Sequence, residues 1–223
     1  MTFSLVARDD TGAFGSVISS SSPAVSARCL HLRDGVGAAN SQNVTDPRLG
    51  RRLLEHLRDG LPAAEALNAV TASTKNIEYR QLLVVDHEGR TAAYSGPLAL
   101  GVFGAAEGDG VVAGGNLLAT AEIPRVMVDA FSSAAGGLEW RLLAAAQAAI
   151  GAGGEVGPVH SAGLAVVEHA GWRVTDLRVD WTDANPIEEL EKLLKVWMPH
   201  RDDYVTRGID PTAAPSYGVP GDG

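Results

Sequence analysis

Thr2-Phe3-Ser4-Leu5-Val6-Ala7-Arg8, then Asp9-Asp10-Thr11-Gly12, then Phe14-Gly15-Ser16-Val17-Ile18-Ser19-Ser20: the reading of this stretch decides the fold. Within it Phe3 to Ala7 and Phe14 to Ser20 are the β-prone runs, and an Asp/Gly-rich connection of that length reads as a hairpin. The chain therefore starts with a strand at its extreme end. Ser19-Ser20-Ser21-Ser22-Pro23 closes the second strand, and Cys29 to Leu32 and Val36 to Asn40 read as another pair around Arg33-Asp34-Gly35. Four strands are thus expected before any helix.

Beyond them, Asp46 is a good N-cap, Pro47 suits the first helical position, and Leu49, Leu53, Leu54 and Leu57 recur at helical spacing up to Gly60. A second helix over Pro62 to Ala72 follows. Arg80 to Asp86 and Arg90 to Tyr94 return to strand around His87-Glu88-Gly89, and Gly101 to Phe103 and Val111 to Ala113 are expected to extend the same sheet. Ala119 to Phe131 and Leu138 to Gly151 form a second helical pair, the latter with an apolar stripe, before strands over Ser161 to Val167 and Trp172 to Val179. Asn185 caps a last helix with Pro186 at its first position and Glu188 placed for a capping box; Glu188/Lys192 and Glu191/Lys195 are i,i+4 pairs on its wet face.

This order is not the strict βαβ alternation of a parallel doubly wound sheet. It fits an α+β fold, with two antiparallel sheets between helical layers as a four-layer αββα sandwich that buries both faces of the Ala- and Val-rich strands. Residues 1–204 read as one domain, and 205–223, rich in Pro and Gly, as a flexible tail.

At 223 residues the chain is long enough to build a large core, and its 45% apolar and 20% charged content is ordinary for globular proteins. A net charge of −9 would repel a phosphate backbone, so nucleic acid is not expected as a partner. The single Cys29 excludes an intramolecular disulfide and reads as a small buried hydrophobe. The N-terminus lacks the pattern of a secretion signal and no window approaches a membrane span, so a cytoplasmic location is expected. Six histidines show no paired spacing, the two glycine-containing turns lack a phosphate-loop lysine, and neither a metal nor a cofactor is expected.

The residue with most chemical interest is Thr2. If Met1 is removed, one residue carries both a hydroxyl and a free α-amine, whose pKa near 7.7–8.0 lets it act as a base toward its own hydroxyl. The ordinary alternative is a β-branched residue starting a strand.

Several segments together resemble the DUF1028 family: Met1 to Asp9, Gly35-Val36-Gly37-Ala38 with Gln42, Asp46 to Leu54, Arg80-Gln81-Leu82 with Val85-Asp86, Gly115-Asn116-Leu117-Leu118, and Val174 to Asp180 followed by Pro186-Ile187. The likeness runs in register from residue 1 to about 195. That family is assigned to the Ntn-hydrolase-like superfamily, whose fold is the αββα sandwich. The resemblance implies hydrolysis of an amide or small peptide by the Thr2 hydroxyl, with the oxyanion held by preorganised N–H donors.

Asn116 after Gly114 and Gly115 could present an amide donor at a strand end. Ser20, Arg33, Gln42, Asn43, Gly115 and Ser161 are the substrate-binding candidates, with Arg28 or Arg33 as the source of positive charge. Thr-dependent hydrolases of the proteasome type place a lysine beside the nucleophile, yet no lysine precedes Lys75 here. Gly114 and His160 stand where the family pattern has glutamine. The alternative is a catalytically silent binding or assembly protein on the same fold, and by base rate the chain is expected to form a homodimer.

Overall fold

The computed structural model describes residues 2–216. The opening hairpin is as expected: β1 (Thr2–Arg8) and β2 (Phe14–Ser20) pair antiparallel from Phe3↔Ser19 to Arg8↔Phe14. Asp9 Oδ1 builds the turn by accepting from the Thr11 and Ala13 N–H groups at 2.9 and 3.0 Å. The next segment departs from expectation. A short helix, α1 (Val25–Cys29), comes before β3 (Leu30–Arg33) and β4 (Gly37–Asn43), so only two strands precede the first helix. Its start depends on a distant residue: Ser161 Oγ accepts from the Val25 N–H at 3.4 Å, a contact no local pattern announces.

The chain continues through α2 (Pro47–Arg58), α3 (Ala63–Ala72), β5 (Arg80–Asp86), β6 (Thr91–Ser95), β7 (Gly104–Gly108) and β8 (Val111–Asn116). It ends through α4 (Ile123–Ser133), α5 (Leu138–Gly151), β9 (Ser161–Val167), β10 (Arg173–Val179), α6 (Pro186–Trp197) and α7 (Arg201–Ile209). Asp46 and Asn185 cap α2 and α6 by accepting from the Arg48 and Ile187 N–H groups. Asp46 also binds the Arg48 guanidinium, which holds its carboxyl down at about 2. Pro62 cannot cap α3 with its side chain; Asp86 at the end of β5 does so instead, its Oδ2 accepting from Ala63 N–H at 3.0 Å.

Two antiparallel sheets stack face to face. One has six strands in the order β10-β9-β2-β1-β8-β7; the other has four, β3-β4-β5-β6. The strand expected over Gly101 to Phe103 is replaced by β7, and β7 and β8 join the sheet of the opening hairpin, not that of β5 and β6 as expected, because the chain crosses to the other sheet between Ser95 and Gly104. Alternation along each strand sorts side chains into layers. Phe3, Leu5 and Ala7 of β1 pack with Ile123, Met127 and Phe131 of α4 and Leu142 and Ala146 of α5. Ala39, Leu82 and Val84 pack against Leu49, Leu53 and Leu57 of α2 and Ala66 and Val70 of α3. Between the sheets lie Val6, Phe14, Ala38, Leu83, Val85 and Val112. The result is the αββα sandwich of antiparallel sheets implied by the resemblance.

The tail boundary at 204/205 falls inside α7. Arg201 reaches back to Glu139 at 2.8 Å and to Glu168 at 2.6 Å, and Tyr204 stacks on Trp197 with ring centroids 5.4 Å apart. The Arg201 contacts reach far upstream, so the composition of the segment could not reveal them; residues 217–223 of the expected tail lie outside the described residues, as does Met1. Among the described residues no helix is long and apolar enough to cross a membrane.

Candidate active site

The strand that Thr2 opens is central in the six-stranded sheet, flanked by β2 and β8. Thr2 is 5% exposed and sits directly across from Asn116, the last residue of β8. The alternation that sends Phe3 and Leu5 toward the helices sends Thr2, Ser4 and Val6 toward the opposite sheet. At this end of the inter-sheet layer the side chains are polar and buried: Ser4, Ser20, Gln42, Gln81 and Asn116.

Their hydrogen bonds fix one another's orientation. Gln81 Nε2 donates to the Gly115 carbonyl at 2.9 Å, and a carbonyl can only accept, so Gln81 Oε1 is the free acceptor end of that amide. Gln42 Nε2 and Asn116 Nδ2 donate to it at 2.8 and 3.2 Å, and Gln42 Nε2 also reaches the Gly114 carbonyl at 3.2 Å. Gln42 Oε1 accepts from Ser4 Oγ at 2.6 Å. Asn116 Oδ1 is left buried with no hydrogen-bond partner among the described residues. The group that Asn116 offers beside Thr2 is thus an acceptor, whereas the sequence suggested a donor; one of its two amide hydrogens is already committed to Gln81.

On the other flank, Thr2 Oγ1 lies 3.4 Å from Ser20 Oγ, which in turn accepts from the Ser22 N–H at 3.1 Å. The neighbouring Ser21 N–H donates to Glu155 Oε2 at 3.3 Å. Glu155 was not singled out in the sequence. It follows α5 in a glycine-rich turn, and an isolated antiparallel bridge to Leu118 brings it beside the strand end that holds Asn116. Its carboxyl is buried, with Oε1 unpartnered among the described residues. Removal from water pushes its pKa up to about 7, against the pull of the positive charge at the start of the chain and of the Ser21 N–H.

The backbone that gathers these groups is constrained. Leu117, just after Asn116, has φ +51, a left-handed conformation that is costly for a branched side chain. It is held by bonds from its N–H to the Leu100 carbonyl and from the Val156 N–H to its own carbonyl, at 2.9 and 3.0 Å.

The other candidates divide. Gly115 supplies the carbonyl that orients Gln81 and has no room for a side chain, since a Cβ there would lie 2.6 Å from Leu118. Ser161 pairs with Ser20 at the same end, but its hydroxyl donates to the Ser22 carbonyl at 2.6 Å and braces that loop. Asn43 also braces: at φ +71, it donates to the Tyr79 carbonyl and accepts from the Leu100 N–H. His160 accompanies Ser161 and stacks on Trp181 with centroids 4.3 Å apart. Arg33 is not brought to the site. It is exposed at the far end of β3, opposite Gly37, whereas Gln42 lies toward the other end of β4. Cys29 is buried and its thiol pKa is raised by burial, as for an inert core cysteine. Among the described residues, no cluster of His, Cys, Asp and Glu suits a metal ion.

The fold is an αββα sandwich of two antiparallel sheets, with a buried polar cluster at the end of the strand that Thr2 opens. The family model described as "Family of unknown function (DUF1028)" matches residues 2–190, and the chain belongs to that family. The crystal structure of a DUF1028 protein from Silicibacter pomeroyi is 32% identical over 92% of this chain and 94% of that one, with a TM-score of 0.85. Weaker likenesses are to HslV of Trypanosoma brucei (16% identity, 76% of this chain, 100% of that chain, TM-score 0.46) and to Anbu, an ancestral β-subunit, of Yersinia bercovieri (10%, 88%, 97%, 0.41). No curated protein matches the chain.

Proposed function

We propose that this chain is an amidohydrolase whose nucleophile is Thr2, exposed by removal of Met1, and whose substrate is a small amide or peptide. The observation that carries the reading is the pairing, at one strand end, of a buried Thr2 with Asn116 Oδ1 on its cross-strand neighbour, an acceptor with no hydrogen-bond partner among the described residues. In the mature chain the Thr2 α-amine takes the hydroxyl proton, directly or through Ser20 Oγ, as Oγ1 attacks the substrate carbonyl carbon. Asn116 Oδ1 accepts from the resulting ammonium and keeps it oriented. The tetrahedral intermediate expels the substrate amine, which leaves with that proton, and water then cleaves the Thr2 ester to release the acid. Glu155, poised near neutrality, serves to hold or return a proton at this wall of the site.

A second reading, a binding or assembly module that forms a homo-oligomer, is favoured by a different observation. Val44, Tyr79, Leu98, Leu100, Val102 and Val156 are all exposed and belong to the loops at this same end.

Intact mass of untagged protein, followed by an amide-substrate screen against Thr2→Ala and Thr2→Ser, separates the two. Loss of Met1 and activity that survives in the serine variant alone support the hydrolase; retention of Met1 leaves no base and supports the assembly module.

A further inference from the structure

Arg80 and Gln81 are adjacent in β5 but face opposite ways, Gln81 into the inter-sheet layer and Arg80 toward the layer of α2 and α3. On that side lies a cavity of about 460 Å³ built by the start of α2, the segment after α3 and the start of β5. Four cations line it: Arg48, Arg52, Lys75 and Arg80. Asp46 is its one lining carboxylate among the described residues and is already bound by Arg48 at 2.7 Å. Such a concentration of positive charge runs against a chain whose net charge is −9.

The site is also organised in advance. Arg52 donates to Thr74 Oγ1 and Ser73 Oγ at 3.0 and 2.6 Å, and those hydroxyls donate onward to the Val70 and Ala69 carbonyls, so the guanidinium is held in one place. Arg80 donates to the Val44 carbonyl, while its Nε is buried with no acceptor among the described residues. An anion in the cavity meets charge-assisted donors that are already held in position. We infer that this cavity binds a small organic phosphate or pyrophosphate group, a ligand class suited to planar guanidinium forks and larger than a single inorganic phosphate. The inference is independent of the Thr2 chemistry, which lies on the other side of β5.

Inorganic pyrophosphate is the probe, titrated calorimetrically into the full chain at low salt. One saturable site is expected, weakened on the order of tenfold by Lys75→Glu, an exposed charge reversal that leaves packing alone. Lys192→Glu, the same reversal on α6, is expected to leave affinity unchanged. Absence of saturable binding up to about 5 mM would overturn the inference, as would equal weakening by both reversals, which would mean diffuse attraction to surface charge. Melting curves of each variant show that the fold is retained.

Discussion

The layer between the two sheets has two ends of opposite character. Around Val6, Phe14, Leu83, Val85 and Val112 it is a dry core; around Thr2, Ser4, Gln42, Gln81 and Asn116 it is a buried network of hydroxyls and amides. The same strands run through both ends, and both are nearly inaccessible to water. The difference lies in what each end costs the fold. An apolar end needs only volume, whereas a polar end needs a partner for every donor and acceptor, and among the described residues Asn116 Oδ1 and Glu155 Oε1 have none. Unsatisfied groups kept in a core reduce stability, and two of them lie at the end of the layer that holds Thr2.

That contrast can be broken experimentally. Thr2→Ala is expected to lower hydrolysis on the order of 10³-fold or more with little change in melting temperature, as measured by single-turnover assay and calorimetry. Phe14→Ala at the dry end is expected to do the reverse, costing about 3–5 kcal/mol in denaturant unfolding. A loss of activity in Phe14→Ala beyond the unfolded fraction would mean the two ends are coupled. Gln81→Leu removes the hub of the amide network and strands the Gly115 carbonyl and the Asn116 amide. It should cost about 2–3 kcal/mol in the same unfolding assay.

Glu155→Gln sharpens the comparison through pH. The folded carboxyl titrates near 7 against an ordinary 4.5, so over that window the native state keeps a proton that the unfolded chain has lost. Stability should therefore fall as pH rises from about 4.5 to 7. Glutamine should abolish this fall, leaving the variant more stable than the parent by about 3 kcal/mol at pH 8 and nearly equal to it at pH 4. The smallest effect is expected from Ser4→Ala, which removes one donor to Gln42 and should cost about 1 kcal/mol.

How much of this was legible in the sequence follows from the range of the interactions involved. The opening hairpin and the caps at Asp46 and Asn185 rest on residues a few positions apart, and the strings that encode them are local. Thr2 was legible because the chemistry proposed for it needs a hydroxyl and a free α-amine on one residue. Gln42 and Asn116 were visible through the resemblance. Glu155 was not: a single carboxylate in a glycine-rich turn carries no local signal, and only its pairing with Leu118 and Ser21 gives it a role. Arg33 was suggested by charge alone, and the length of one strand separates it from the site. Helix α7 was hidden for the same reason as Glu155, since its anchors, Glu139 and Glu168, lie far upstream of Arg201.

Leu117 carries a consequence for motion. Its two backbone groups splice the loop ending at Val102 to the turn holding Glu155, while the adjacent Leu118 and Ala119 N–H groups bond to the Val102 and Gly154 carbonyls. Neither loop can lift without breaking bonds to this short segment. Amide hydrogens at Leu117, Leu118, Ala119 and Val156 should therefore exchange with solvent at a common free energy, opening as one cooperative unit. The two walls of the Thr2 site, one carrying Asn116 and the other Glu155, then breathe together on the slow timescale of local unfolding.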